Sequence, residues 1–472
     1  MERMTGLDAS FLYFETPTMH MHVCATIIFD PSTAKGGYSF EKVKEFIQGR
    51  LHLVEPFRRR LVSVPFNLHH PVWVEDPDFD LDYHLRRIGV PSPGTPEQLA
   101  EIAGDIASRP LDRTKPLWEM WIVEGLEDGN VAVVAKMHHC TVDGVSGANL
   151  MVHLFDLSQE GEEKPAAPEN WQPERKPSDL ELVGYALNSR LRRPFSLLRV
   201  VPDTVRSVSG LVRTVRGRGE GGAGMPAPFT APRTSWNVAV SPHRSVAMSR
   251  VSLDDIKTVK KAFGTTVNDV VLAVASGALR RFLEGKGEMP DKSLIGVVPV
   301  SVRTGEEQDA TGGANKVSAL FTSLATDIDD PVERLMAIHE VNKGAKEEHK
   351  AIGATFLQDW AEFAAPTTFA LAARAYSGLK LADRHPVVHN LVISNVPGPP
   401  FPLWFAGAQL VALNPLGPVM DGAALNITVI SYMDSVDWGF IADKEAVPDL
   451  WDLAHAVPDA LAELVKAASD GA

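Results

Sequence analysis

The sequence predicts an α/β protein built in two halves. Three observations carry that expectation. Apolar runs of strand length alternate with amphipathic helical stretches on both sides of the middle of the chain. Between them the composition changes: residues 158–177 are rich in Glu, Pro and Lys, and residues 217–232 (GRGEGGAGMPAPFTAP) in Gly and Pro, as linkers are. A length of 472 residues also exceeds one ordinary domain. The expected units are residues 1–157, a linker over 158–233, and residues 234–472.

In the first half, residues 1–14 read as a short turn, TGLDAS, followed by the apolar FLYF. VCATIIF (23–29) reads as a strand, 40–51 as an amphipathic helix with Val43, Phe46, Ile47 and Leu51 on one face, and PVWV (71–74) as a strand. FDLDYHL (79–85) alternates apolar and polar residues, as a half-buried strand or extended segment does. Pro96 opens a helix over 95–108. PLWEMWIV (116–123) and the run beginning at Val131 flank the turn GLEDGN and should pair antiparallel. Trp118 and Trp121 read most simply as core residues.

The linker contains a helical, basic stretch over 180–215, with seven arginines from Arg190 to Arg216 among leucines and valines. It suits either an anionic membrane surface or a connector packed between the halves. The second half offers strands near 245–251, 293–302, 315–323, 387–396, 409–414, 424–432 and 437–442. Helices are expected over 253–263, 270–282 and 331–346, with a closing helix within 447–468. Residues 265–269 (TTVND) suit the capped start of the 270–282 helix.

The formal net charge of −14 speaks against a nucleic-acid binder. Two cysteines, Cys24 and Cys140, cannot form a disulfide framework and suit a reducing compartment. MERMTGLDASFLYFE has no long apolar core, and no apolar run spans a bilayer, so a cytoplasmic protein, soluble or peripheral, is expected.

The chemistry concentrates in residues 131–150, VAVVAKMHHCTVDGVSGANL. A strand delivers His138 and His139; Asp143 follows four residues later, then Gly144. Histidine takes and returns a proton near neutral pH. Asp143 can brace the loop against a cation, and Gly144 permits a turn that a side chain obstructs. Three readings stay open on spacing alone: a packed loop, an acid–base site, or a metal site with His138, His139 and Asp143 as ligands.

Further motifs make the pattern specific: LDASFLYFETPTMHMHV (7–23), HPVWVED (70–76), PLWEMWIVEGL (116–126), HHCTVDG (138–144), TVNDVVLAVASGALRRFL (266–283), VPVSVR (298–303), SNVPGP (394–399) and ITVISYMDSVDWGFIAD (427–443). With these, the chain resembles the bacterial wax ester synthase/acyl-CoA:diacylglycerol acyltransferase family over nearly its whole length. The resemblance implies two chloramphenicol-acetyltransferase-like domains with mixed sheets, joined by a helical linker, with a channel between them.

It also implies transfer of a long-chain acyl group from acyl-CoA to diacylglycerol or a long-chain alcohol. No bound cofactor or metal is implied; acyl-CoA is a co-substrate. His139 is then the expected general base, with His138, Asp143 and Gly144 shaping its loop. Asn268 is a candidate oxyanion donor. Asp269, Pro116, Leu117, Trp118, Ser394 and Asn395 are candidate substrate-lining residues. Cys140 beside the base is an alternative nucleophile, though nothing nearby suggests a stabilised thiolate. Peripheral contact with the inner membrane face or lipid droplets follows from the substrates and the basic linker. Two other function classes remain: a condensation-type enzyme using carrier-bound acyl chains, and a non-catalytic lipid-binding protein.

Overall fold

The computed structural model describes residues 2–141, 151–162, 164–165, 175–191, 224–227, 229–301, 317–352 and 366–470. The first half runs β1 (Glu2–Arg3), α1 (Gly6–Phe14), β2 (His22–Asp30), α2 (Phe40–Gln48), β3 (Arg59–Val62), β4 (Val72–Glu75), α3 (Leu81–His84), β5 (Leu85–Gly89), α4 (Pro96–Ala107), β6 (Trp118–Glu124) and β7 (Val131–His138). Helix α5 (Asp179–Leu191) follows. The second half runs β8 (Arg244–Ser252), α6 (Leu253–Phe263), α7 (Val267–Lys286), β9 (Ile295–Ser301), β10 (Val317–Ser323), α8 (Pro331–Ile352), α9 (Pro366–Gly378), β11 (Leu391–Val396), β12 (Trp404–Phe405), β13 (Ala408–Leu416), β14 (Leu425–Tyr432), β15 (Ser435–Asp443) and α10 (Leu450–Asp470).

Two six-stranded mixed sheets form, in the orders β12-β13-β2-β7-β6-β5 and β10-β9-β11-β14-β15-β8. The first is antiparallel except for β5 on β6; in the second, β11 runs parallel to both β9 and β14. The first sheet holds strands from both ends of the sequence. β13 pairs with β2, placing Asn414 against Thr26 and Leu416 against Cys24. The halves are thus tied by backbone hydrogen bonds.

Close packing reinforces the tie. A Cβ on Gly439 of β15 would lie 1.9 Å from the Pro415 carbonyl oxygen of β13, and one on Gly104 of α4 would lie 2.7 Å from the Arg244 carbonyl oxygen of β8. Helix α4 starts at a capping box between Thr95 and Gln98. It buries Leu99, Ala103 and Ile106 in a cluster with Val134 of β7, Val246 of β8 and Ile441 of β15. Each large aliphatic side chain in that seam contributes about 1.5–3 kcal/mol.

Several elements depart from the sequence-based expectation. Residues 6–14 form a helix, capped by the Thr5 hydroxyl accepting the Asp8 N–H. In 79–85 the expected strand is a single helical turn, α3, because Asp80 caps it; the strand β5 begins only at Leu85. Helix α7 starts earlier than expected, at Val267. Strand β11 starts later, at Leu391, and the α9 helix has no counterpart in the reading above.

The last residues before the linker pack on the first half: Asp156 accepts from buried Arg50 at 2.6 Å. Helix α5 lies on the small sheet β1-β4-β3, burying Leu182 and Ala186 against Val62, Val64, Val72 and Val74. The rest of the basic stretch, residues 192–216, lies outside the described residues. No single helix among the described residues is long and apolar enough to cross a membrane.

Candidate active site

The two histidines sit where β7 ends. His22 of β2 pairs with His138, and beyond that pair the sheet gives way to a turn. The His138 N–H donates to the Leu117 carbonyl at 3.0 Å, and the His139 N–H to the Met21 carbonyl at 2.9 Å. Met21 has φ 53°, a left-handed conformation that costs a non-glycine residue about 1–2 kcal/mol. Strain of this kind persists where the surroundings dictate it. Met21 is held because its side chain is buried in the core of the second half.

His139 is half-buried, and its ring stacks on Phe11 of α1 with centroids 4.0 Å apart and planes 12° apart. Phe11 packs in turn against the second-half core, as does Val267, the neighbour of Asn268. One apolar cluster therefore backs both the histidine turn and the start of α7.

His138 is 1% exposed and has a different role. Its Nδ1 accepts the Cys140 N–H at 3.1 Å, and its Nε2 lies 3.3 Å from Glu15 Oε2. Burial lowers its pKa by more than Glu15 raises it, so the ring is neutral near pH 7. Burial also opposes charge on Glu15, but the contact with His138 and the Arg113 guanidinium outweigh it and hold the carboxyl below its usual range. Arg113 donates to Glu15 through Nε at 2.9 Å and through Nη2.

Burial pushes the Cys140 thiol well above its usual pKa. A thiol buried in this way is a poor nucleophile. Asp143 and Gly144 lie outside the described residues.

In the second half, the structure brings Asn268 and Asn395 together: the Asn395 side-chain amide donates to Asn268 Oδ1 at 3.4 Å. Both are half-buried, as is Ser394 beside them on β11. Asp269 does not line an open surface. It is 1% exposed, and its carboxylate closes the α7 capping box with Thr266. The same carboxylate contacts His339 Nδ1 at 2.7 Å and accepts from Asn342 at 2.8 Å.

Burial raises the Asp269 pKa, but the hydrogen bonds from His339, Asn342 and Thr266 lower it more, and the net shift is downward. A carboxylate with a depressed folded-state pKa contributes stability above its unfolded pKa of about 3.9, and that contribution is lost as pH falls through the folded value. Asp269→Asn should therefore lower stability near pH 7 and flatten the acid limb of stability against pH; chemical denaturation at several pH values measures both.

The PLW residues behave as framework. Trp118 is 1% exposed, stacks on Phe57 at 4.2 Å and donates its indole N–H to the Phe57 carbonyl. That placement replaces the substrate-lining expectation for Trp118 with a core role. Pro116 and Leu117 are buried too, and Leu117 acts on the site through its carbonyl. Glu15, Phe11, Met21 and Arg113 escaped sequence reasoning. The signal for Glu15 was an acid directly after an apolar helix, in FLYFE.

The wax ester synthase/diacylglycerol acyltransferase catalytic-domain model matches residues 4–271. The chain belongs to this family. The WS/DGAT C-terminal-domain model matches residues 313–465. A Mycobacterium tuberculosis protein named a diacylglycerol O-acyltransferase is 41% identical over 474 residues, spanning 100% of this chain and 91% of that one. A second with the same name is 36% identical over 455 residues, spanning 95% and 92%.

The solved wax ester synthase/diacylglycerol acyltransferase from Marinobacter aquaeolei VT8 superposes with a TM-score of 0.70 at 28% identity, over 99% of this chain and 100% of that one. A condensation domain of the CDA synthetase shares the fold, with a TM-score of 0.56 at 15% identity, over 100% and 97%. The chain is thus an acyltransferase on a chloramphenicol-acetyltransferase-like fold, and the histidine turn lies within its WS/DGAT catalytic-domain match.

Proposed function

We propose that the enzyme moves a long-chain acyl group from acyl-CoA to the free hydroxyl of diacylglycerol, with long-chain alcohols as further acceptors. The observation that supports this most is His139: a half-buried imidazole, held by main chain and by Phe11, in the region matched to the family's catalytic domain.

In this reading His139 removes the acceptor O–H proton as the oxygen attacks the thioester carbonyl. A C–O bond forms, the carbonyl electrons move to oxygen, and the intermediate collapses with loss of the C–S bond. His139 returns the proton to the departing CoA sulfur. The hydroxyl is itself the nucleophile, so the step needs neither an acyl-enzyme nor a bound cofactor. Asn268 is the proposed oxyanion donor. Its Oδ1 faces Asn395, which leaves its amide N–H groups for another acceptor. In this reading Ser394 lines the second-half side, and the motif residues Asp143 and Gly144, outside the described residues, keep the supporting role that the resemblance implies. Water-insoluble acceptors and products support a working position against the inner membrane face or lipid droplets, within the cytoplasm that the sequence leads one to expect.

Purified protein given palmitoyl-CoA should release CoA in proportion to triacylglycerol formed from diacylglycerol, with a slower wax ester product from hexadecanol. CoA release without ester, or ester formation only from carrier-bound acyl chains, would overturn this reading.

A further inference from the structure

Among the described residues, the carboxylate nearest His138 lies outside the motif: it is Glu15, more than a hundred residues away in sequence. We infer that Glu15, braced by Arg113, is a positioning residue for the acyl-transfer site: it selects the Nε2–H tautomer of His138, whose Nδ1 then holds the Cys140 N–H and sets the turn that presents His139. The inference rests on the acyl-transfer reading for its catalytic consequence, and on geometry alone for the tautomer.

The Cys140 N–H points at His138 Nδ1 at 3.1 Å, so that nitrogen must be the acceptor. In a neutral imidazole the proton then sits on Nε2. That nitrogen lies 3.3 Å from Glu15 Oε2, outside hydrogen-bond geometry but close enough for the carboxylate charge to favour a proton there. The His138 side chain is 1% exposed and that of Glu15 11%, so water does little to settle the tautomer.

The other charged and titratable groups nearby are committed or unsuited. Lys136 donates to the carbonyls of Ile106 in α4 and Arg109 just beyond it, each at 3.0 Å, and pairs with Glu119 at 3.3 Å. The His22 ring meets His138 edge-on at 6.1 Å, and burial holds it neutral. Arg244 donates to the carbonyls of Thr18 and Ser241. Glu15 is thus the carboxylate within ion-pair distance of His138 among the described residues.

Glu15 is itself fixed. Arg113 grips it through Nε and Nη2, and the same guanidinium donates to the Leu12 carbonyl in the last turn of α1 at 2.9 Å. Without Glu15 only the Cys140 N–H still favours the Nε2–H form, and the balance shifts toward the Nδ1–H form. The Nδ1–H form sets donor against donor at Cys140 and loosens the turn. His138 is too buried to meet substrate, so its contribution is orientation.

Two measurements on Glu15→Gln and Glu15→Asp test this. In the native protein, ¹⁵N spectra of labelled histidines, with His138 assigned by His138→Gln, should show a single Nε2–H tautomer for His138. Glu15→Gln should show exchange between the two forms and lower kcat about 10- to 100-fold, with KM for palmitoyl-CoA within about twofold. Glu15→Asp should recover part of kcat. An unchanged tautomer in Glu15→Gln overturns the inference, as does an unchanged kcat or a fall in activity matched by loss of fold. If the native protein transfers no acyl group from palmitoyl-CoA, the functional reading fails, and the His138 spectrum still decides what Glu15 does.

Discussion

His139→Ala lowers acyl transfer about 10²–10⁴-fold, the usual worth of a general base, while the fold persists. The side chain's stacking on Phe11 is lost, at about 0.5–1.5 kcal/mol. The bond that holds the turn, from the His139 N–H to the Met21 carbonyl, is main chain and survives the substitution. The deficit should therefore fall on kcat, with KM for palmitoyl-CoA little changed. CoA release and ester formation are followed together, and the melting transition of each variant is recorded. Cys140→Ala is the comparison: its thiol is buried and protonated, so turnover should stay near native. A fully active His139→Ala protein would remove this residue from the chemistry, and an inactive Cys140→Ala protein with native stability would reopen a thioester intermediate.

The second large effect is structural. Gly439→Ala places a methyl group 1.9 Å from the Pro415 carbonyl oxygen and 2.8 Å from its carbonyl carbon. Backbone cannot rotate away as a flexible side chain can. Trp438 and Phe440 on either side are wholly buried, so β15 has no room to retreat. β13 cannot retreat either without breaking its ladder to β2. The cost should reach or exceed the upper end of the about 1–3 kcal/mol typical of overpacking, a large part of a total stability of about 5–15 kcal/mol.

Activity should fall with it, because β2 leads directly from Met21, which anchors His139. Gly285→Ala is the control. Gly285 lies exposed in α7 with nothing within 4 Å of its added Cβ, and alanine there should stabilise by about 1 kcal/mol. Denaturation midpoints of the two variants should move in opposite directions; equal midpoints would show that the sheets yield at the β13–β15 contact.

Much of the site was legible because its signals are local. A strand-length apolar run delivers His138 and His139, and a threonine three residues ahead of Asp269 announces the start of α7. Period-two and helical patterns likewise place β2, β6, β7, α2, α4 and α6 close to where they stand. Local capping also defeats a pattern: FDLDYHL alternates as a strand does, yet Asp80 turns it into a helical turn and buries His84 against Trp118.

By itself the sequence determined the family, the alternation of strands and helices, and the two histidines at a strand end. The tertiary structure alone decided which residues serve them. Glu15 and Arg113 meet across 98 residues, β13 enters the first sheet from the far end of the chain, and Trp118 turns inward to Phe57. Periodicity records which face of an element is buried, and a cap records where a helix begins. Neither records the partner that covers that face or the charge that settles a buried ring's proton, because both are set by contacts between segments remote in sequence.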